Sequence, residues 1–197
     1  MIVEIRREDY RSLADYASVP ISFDVHSVVN VASMRVGDAA FSTQSVAPST
    51  RKDYDALPGN DPQSWPRRFD VRDWIVLAAY SAGRRVGGAI AIGDGVRPAP
   101  LDSQPTFAVL WNLRVEPMLR GRGVGRALIG ASEDAVLRAG FVGLDVETQD
   151  NNTPACRLYA ACGYTLSAVT AAAYSDVPGE SRLTWRKSLG RDRAPSG

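Results

Sequence analysis

Leu113-Arg114-Val115-Glu116-Pro117-Met118-Leu119-Arg120-Gly121-Arg122-Gly123-Val124-Gly125-Arg126-Ala127-Leu128 is the stretch on which the reading of this chain turns. It predicts the end of a strand, a glycine-rich turn and the start of a helix. The strand runs from Phe107 to Val115, and Pro117, with no backbone N–H, cannot extend its ladder. From Val124 onward, Val124, Leu128, Ala131 and Ala135 recur at helical spacing. Gly121, Gly123 and Gly125 allow close backbone approach. A helix start collects free N–H groups and the positive end of the helix dipole at one spot. Arg120, Arg122 and Arg126 add charge there. Together these features suit a phosphate or pyrophosphate. The plain alternative is a glycine turn that only reverses the chain.

Two familiar phosphate loops fit poorly. A P-loop requires Gly, four residues, then Gly-Lys-Ser/Thr, and no such run exists. The dinucleotide fingerprint, counted from Gly121, meets Arg126 where its last glycine belongs; counted from Gly123, it meets Leu128. Asp145 lies about twenty residues on, near where a ribose-binding acid would stand, so this reading is weakened rather than removed.

Arg120-x-x-Gly123-x-Gly125 resembles the acyl-coenzyme A pyrophosphate loop of the GNAT superfamily of N-acetyltransferases, Gln/Arg-x-x-Gly-x-Gly/Ala. A second segment strengthens the resemblance. Asn152-Thr153-Pro154-Ala155-Cys156-Arg157-Leu158-Tyr159, followed by Cys162-Gly163-Tyr164, is similar to the family's Asn-x-x-Ala…Leu-Tyr…Gly-Phe/Tyr segment. The likeness is firm from about Phe107 to Leu166 and faint upstream. Leu144 to Cys156, and the short run Arg51-Lys52-Asp53-Tyr54, are also similar to streptothricin acetyltransferases, which acetylate an amine of a cationic antibiotic.

The resemblance implies an α/β (α+β) fold: a mixed, mainly antiparallel central sheet, flanked by helices, with a V-shaped splay between two central strands. It implies acetyl-coenzyme A as cosubstrate, held by Leu113, Val115, Arg120, Gly121, Arg122, Gly123, Val124, Gly125, Arg126, Asn152, Ala155 and Tyr159. Backbone near Leu113 and Val115 would pair with the pantetheine amides like an added strand. An N–H there, that of Leu113 first, would face the oxyanion. Tyr159 would be the general acid for the leaving thiolate. Reference pKa values make that transfer uphill by ~1.5 units, about 2 kcal/mol, so it helps as the C–S bond breaks. Asn152, Ala155 and Tyr159, three and seven residues apart, share one helical face. Small Ala155 leaves room there, and Asn152 can bond an amide. Tyr159 read without the motif is a core tyrosine beside Leu158.

The resemblance fixes no base. Glu147, on the strand facing the slot, is the first choice. Asp145 shares its face by period-two alternation, and Glu116 lies nearer the turn. Trp111 and Asn112 would lie near the acyl end or simply pack. His26, the one histidine, has no evident partner and reads as a polar strand residue. Pro48 to Pro66 carries Asp53, Asp55, Asp61, Tyr54 and Trp65, which suit a cationic amine or a solvated loop.

Composition bounds the rest. The 197 residues are 45% hydrophobic and 23% charged, enough for one core. A single domain over 1–187 is expected, with its motif-bearing core at 72–187 and a disordered tail at 188–197. Net charge of +1 provides no field for nucleic acid or a membrane. Cys156 and Cys162 with one distant histidine make no metal site and read as reduced thiols. No leader and no long apolar run are evident, so a cytoplasmic monomer or homodimer is expected. Further elements expected are a strand at Ile2–Arg6, a helix at Glu8–Ala17 and paired strands at Ile21–Val31 and Phe41–Val46. A hairpin of Trp74–Tyr80 and Val86–Ile92 follows, then a Gly93–Pro105 connection. The carboxyl-terminal half adds a helix at Arg122–Ala139, a strand at Val142–Gln149, a helix at Asn152–Ala161 and closing strands at Tyr164–Thr170 and Arg182–Lys187.

The leading function is direct acetyl transfer to a primary amine of a small cationic acceptor, a streptothricin-type antibiotic or another such amine. Acetylation of a protein N-terminus or lysine, a non-catalytic coenzyme A-binding regulatory module, and a nicotinamide-dependent oxidoreductase are the alternatives.

Overall fold

A computed structural model describes residues 1–93, 106–174 and 177–190. The Gly93–Pro105 connection beyond its first residue and the tail from 191 therefore lie outside the described residues.

Nine strands are described: β1 (Glu4–Glu8), β2 (Phe23–Val29), β3 (Thr43–Lys52), β4 (Ile75–Ser81), β5 (Arg84–Ile92), β6 (Phe107–Val115), β7 (Gly143–Gln149), β8 (Thr165–Thr170) and β9 (Arg182–Ser188). The α-helices are α1 (Leu13–Ala17), α2 (Val124–Arg138) and α3 (Thr153–Ala161). Seven strands form one sheet in the order β1-β4-β5-β6-β7-β9-β8, and β2 with β3 forms a separate pair. Every pairing in the large sheet is antiparallel except β6 with β7. The expected mixed, mainly antiparallel fold is the one observed.

Period-two alternation sorts the apolar residues of the central strands onto two faces. On one face Ile75, Leu77 and Ala79 of β4 meet Leu128, Ile129, Ala135 and Val136 of α2. On the other, Val76, Ile90, Ile92 and Val109 pack with Tyr16, Trp65 and Trp74. Helix α2 stops where its sequence says: the Gly140 N–H bonds to Leu137 O and the Phe141 N–H to Val136 O, a Schellman closure with Gly140 at φ 91°.

The hairpin expectation holds with a tighter turn. Ala82 and Gly83, at φ 49° and 76°, join β4 to β5, and positive φ at both central residues matches the strand twist. Upstream the reading needs correction. The helix expected over Glu8–Ala17 is a 3-10 turn, Tyr10–Ser12, followed by the short α1, because β1 holds Glu8 in register with Val76. The loop expected from Pro48 begins as strand, since β3 runs to Lys52. Register slips between Val25 and Ser27, so the four residues Val46 to Ser49 have no register partner on β2. The missing N–H of Pro48 therefore interrupts no ladder bond. Two 3-10 turns follow, Tyr54–Ala56 and Pro62–Arg67.

The feature that creates a site is the failure of β6 and β7 to stay together. They pair only from Phe107 with Gly143 to Leu110 with Val146. At that point β6 acquires an extra residue, Trp111, against β5, where Ile90 faces Asn112 and Ala91 faces Leu110. A bulge bends and twists its strand, and past it β6 and β7 diverge in the V that the family resemblance implies.

Candidate active site

The V opens into a cavity of about 840 Å³ bounded by β6, β7, the N-terminus of α2, α3 and the Tyr54–Ala56 turn. One wall is the free edge of β6. The Glu116 N–H bonds to Val86 O, so residues alternating with it face β5. Leu113 and Val115 therefore turn their backbone groups the other way, into the opening. The Val115 carbonyl there accepts from Arg120 Nε at 3.0 Å.

At the foot of that edge sits the glycine turn. Gly123 caps α2 at φ 90° and its added Cβ would meet nothing within 4 Å, so the need for glycine is conformational. Gly125 is different: a Cβ there would stand 3.0 Å from Leu158 Cδ2, so its smallness lets α3 approach α2. Between Gly121 and Arg126 no backbone N–H meets an acceptor among the described residues. Those donors and the N-terminal dipole of a 15-residue helix are oriented as an anion would require.

The arginines contribute less than their charge implies. Arg120 lines the cavity, but its guanidinium also donates to Ser22 O at 2.9 Å and Pro20 O at 3.2 Å, tying the chain before β2 to the turn. Arg126 lines it too and reaches Ala161 O at 3.3 Å. Arg122 is exposed and does not line the cavity, and the Val124 side chain is buried in the core. Of the other residues expected at the cofactor, Gly121, Gly123, Gly125, Leu113, Val115, Asn152, Ala155 and Tyr159 line it. Asn152 has a structural duty as well. Its side-chain oxygen accepts the Ala155 N–H at 3.3 Å, capping α3 and leaving the amide NH₂ to donate.

Tyr159 is 5% exposed and lines the cavity from α3. Burial pushes its phenol above the usual tyrosine range, and its hydroxyl has no hydrogen-bond partner among the described residues. Two carboxylates line the same space, Glu147 and Asp55. Glu147 accepts from the Tyr174 hydroxyl at 2.7 Å. The other base candidates have partners of their own. Asp145 is fully buried and gripped by Arg186, its register partner on β9, at 2.7 and 2.8 Å. Glu116 pairs with Arg84 at 3.7 Å and lies outside the cavity lining. His26 is exposed on β2 and outside it as well. Burial pushes the Cys156 thiol up to about 12, which disqualifies it as a nucleophile.

Asp55 belongs to a network that no local pattern announces. It receives both terminal nitrogens of Arg114, at 2.9 and 3.0 Å. Arg114 is 1% exposed, bonds also to Val19 O and Asn112 Oδ1, and lies over the Tyr16 ring at 4.7 Å. Of the three acids in this loop only Asp55 faces the cavity; Asp53 and Asp61 cap their own turns. Trp65 and Trp111, in edge-to-face contact at 6.3 Å, and Tyr54 supply aromatic surface beside it. Arg114 alternates with Leu113 and Val115 on β6 and shares a face with Asn112, so the local pattern reads it as polar and outward; only the fold shows it buried and which acid answers it.

The acetyltransferase (GNAT) family profile matches residues 43–164. The chain belongs to this family. This GNAT chain is 32% identical over 165 residues, 82% of its length and 78% of the other, to streptothricin acetyltransferase of Escherichia coli. A 72-residue match at 35% identity, 36% of this chain and 42% of the other, links it to streptothricin acetyltransferase A of Bacillus subtilis strain 168. The GNAT fold itself superposes on a solved nourseothricin acetyltransferase with TM-score 0.71 at 22% identity, covering 96% of this chain and 100% of that one. A Bacillus anthracis protein assigned as a streptothricin acetyltransferase, solved with acetyl coenzyme A, gives TM-score 0.71 at 20% identity over 95% and 99%. Among the described residues no group of side chains could hold a metal ion, and no helix is long and apolar enough to cross a membrane.

Proposed function

We propose that this acetyltransferase moves the acetyl group of acetyl-coenzyme A directly to a primary amine of a small cationic acceptor of streptothricin type. One observation carries the reading: a single cleft is lined both by the free main-chain N–H donors before α2 and by two carboxylates with aromatic side chains. The N–H cradle before α2 suits the diphosphate. The open edge of β6 offers Leu113 and Val115 to the pantetheine amides, and the NH₂ of Asn152 faces the same arm beside Ala155. Such a lay of the arm brings the thioester between the Leu113 N–H and the Tyr159 hydroxyl.

The cationic acceptor binds beside Glu147, which supplies negative charge, with Trp65, Trp111 and Tyr54 as π faces, while Asp55 stays committed to Arg114. Glu147 takes the proton of the attacking amine, directly or through water. As the C–N bond forms and the C–S bond breaks, Tyr159 gives its proton to the thiolate. Glu147 ends the turnover protonated and Tyr159 deprotonated, and exchange with solvent resets both. The two thiols are free, which accords with a reducing, cytoplasmic setting.

The likeness to two streptothricin acetyltransferases supports the choice of acceptor. The test is a thiol-release screen with acetyl-coenzyme A against a panel of amines containing streptothricin, a lysine peptide and a free peptide N-terminus. Release with streptothricin is the expected result. Release with the peptides alone reassigns the acceptor, and coenzyme A binding with no release to any amine reassigns the protein as a regulatory binder.

A further inference from the structure

Glu147 is held in place by a residue from a segment without any sequence signal. Tyr174, in the connection between β8 and β9, donates its hydroxyl to Glu147 Oε1 at 2.7 Å and accepts from Gln149 Nε2 at 3.1 Å. Gln149 is two residues along β7, so it projects to the same side as Glu147. A phenol can donate one hydrogen bond and accept others, and here both uses are made. Tyr174 and Val177 also line the cleft, so this connection forms part of its wall.

We infer that Tyr174 is a positioning residue for acetyl transfer: its phenol, oriented by Gln149, fixes the Glu147 carboxylate to receive the proton of the acceptor amine. The inference rests on the reading of Glu147 as the base. Arg182 on β9 brings Nη1 to 4.0 Å from Glu147 Oε2, and Arg157 lines the same cleft from α3. Tyr159 faces the cleft from α3, and Asp55, paired with Arg114, faces it from its turn. Asp145, one pleat back on β7, is neutralised by Arg186. Burial and the nearby Glu147 charge push the Tyr174 phenol above its usual range, so it stays a donor and keeps its own proton. The proton therefore passes from the amine nitrogen to Glu147 and no further.

The competing role is a bond that merely fastens the connection to β7. Steady-state kcat and KM separate the two, measured for wild type, Tyr174→Phe, Glu147→Gln and the double variant, using streptothricin or the panel amine of highest thiol release. Tyr174→Phe is expected to lower kcat about tenfold and to leave KM for acetyl-coenzyme A unchanged. In the Glu147→Gln background the same change is expected to alter the rate by less than about twofold. An unchanged kcat in Tyr174→Phe, a loss confined to KM, or an undiminished loss in the Glu147→Gln background overturns the inference while leaving Glu147 as base. A wild-type rate in Glu147→Gln itself removes Glu147 from that role, and Tyr174 with it.

Discussion

The two ends of the cleft are built in different ways. Where we propose that the diphosphate binds, the donors are consecutive main-chain N–H groups, from Gly121 to Arg126, presented by one turn and one helix start. Where we propose that the acceptor binds, the groups are side chains from segments far apart: Asp55 in a 3-10 turn, Trp65 in the next, Glu147 on β7 and Tyr174 between β8 and β9. A site made of adjacent backbone is fixed by local dihedral preference and leaves a short pattern in the sequence. A site made of converging side chains depends on how loops pack and leaves none.

That contrast can be broken most forcefully at Asp55. Replacing it with alanine strands Arg114 in the core without its anion, and loss of one partner of such a pair costs about 3–5 kcal/mol. Urea unfolding of Asp55→Ala should show this, while a loss below about 1 kcal/mol would mean that Val19 O and Asn112 suffice for Arg114. At the other end Gly123→Asp puts a carboxylate in the N–H cradle and forces an L-residue to φ 90°. Coenzyme A affinity should fall about a hundredfold by calorimetry, ~2.7 kcal/mol. Gly123→Ala shares the strain without the charge, so its smaller loss measures the backbone part. Unchanged affinity in Gly123→Asp would move the diphosphate elsewhere.

Tyr159 stands between the two ends. Tyr159→Phe keeps the ring packing and removes only the proton, so kcat should drop roughly ten- to a hundredfold, with coenzyme A affinity intact. Wild-type turnover would end its role as acid. Asn152→Ala has the smallest expected effect, about 1 kcal/mol of thermal or urea stability, since it loses the cap of α3. A normal stability with weakened coenzyme A binding would show that its amide serves the ligand more than the helix.

The same division governs what is legible without the structure. β6, α2, β7 and α3 can be read because each has an apolar period matched by its own punctuation: Pro117, Gly123, Gly140, Asn152 with Pro154. The amino-terminal third reads less well because its elements are set by partners at a distance. The Val29 N–H bonds to Asp150 O, the Gly37 N–H to Leu166 O, and the Ser27 hydroxyl meets that of Thr153 at 2.9 Å. Neither the extension of β3 through Pro48 nor the truncation of the first helix follows from local propensity. Arg120 and Arg126 show a related limit: their charge suggests ligand binding, yet much of their donor capacity goes to carbonyls of the chain itself.

By itself the sequence determined the strand, turn and helix that carry the anion cradle, and the helical face bearing Asn152, Ala155 and Tyr159, because those depend on dihedral freedom and periodicity within one short segment. Only the tertiary structure decided that Trp111 bulges where β6 leaves β7, that Asp55 answers Arg114, and that Tyr174 holds Glu147 while Arg186 removes Asp145 from contention. Each of those is a choice among chemically equivalent partners, and such choices are made by long-range packing.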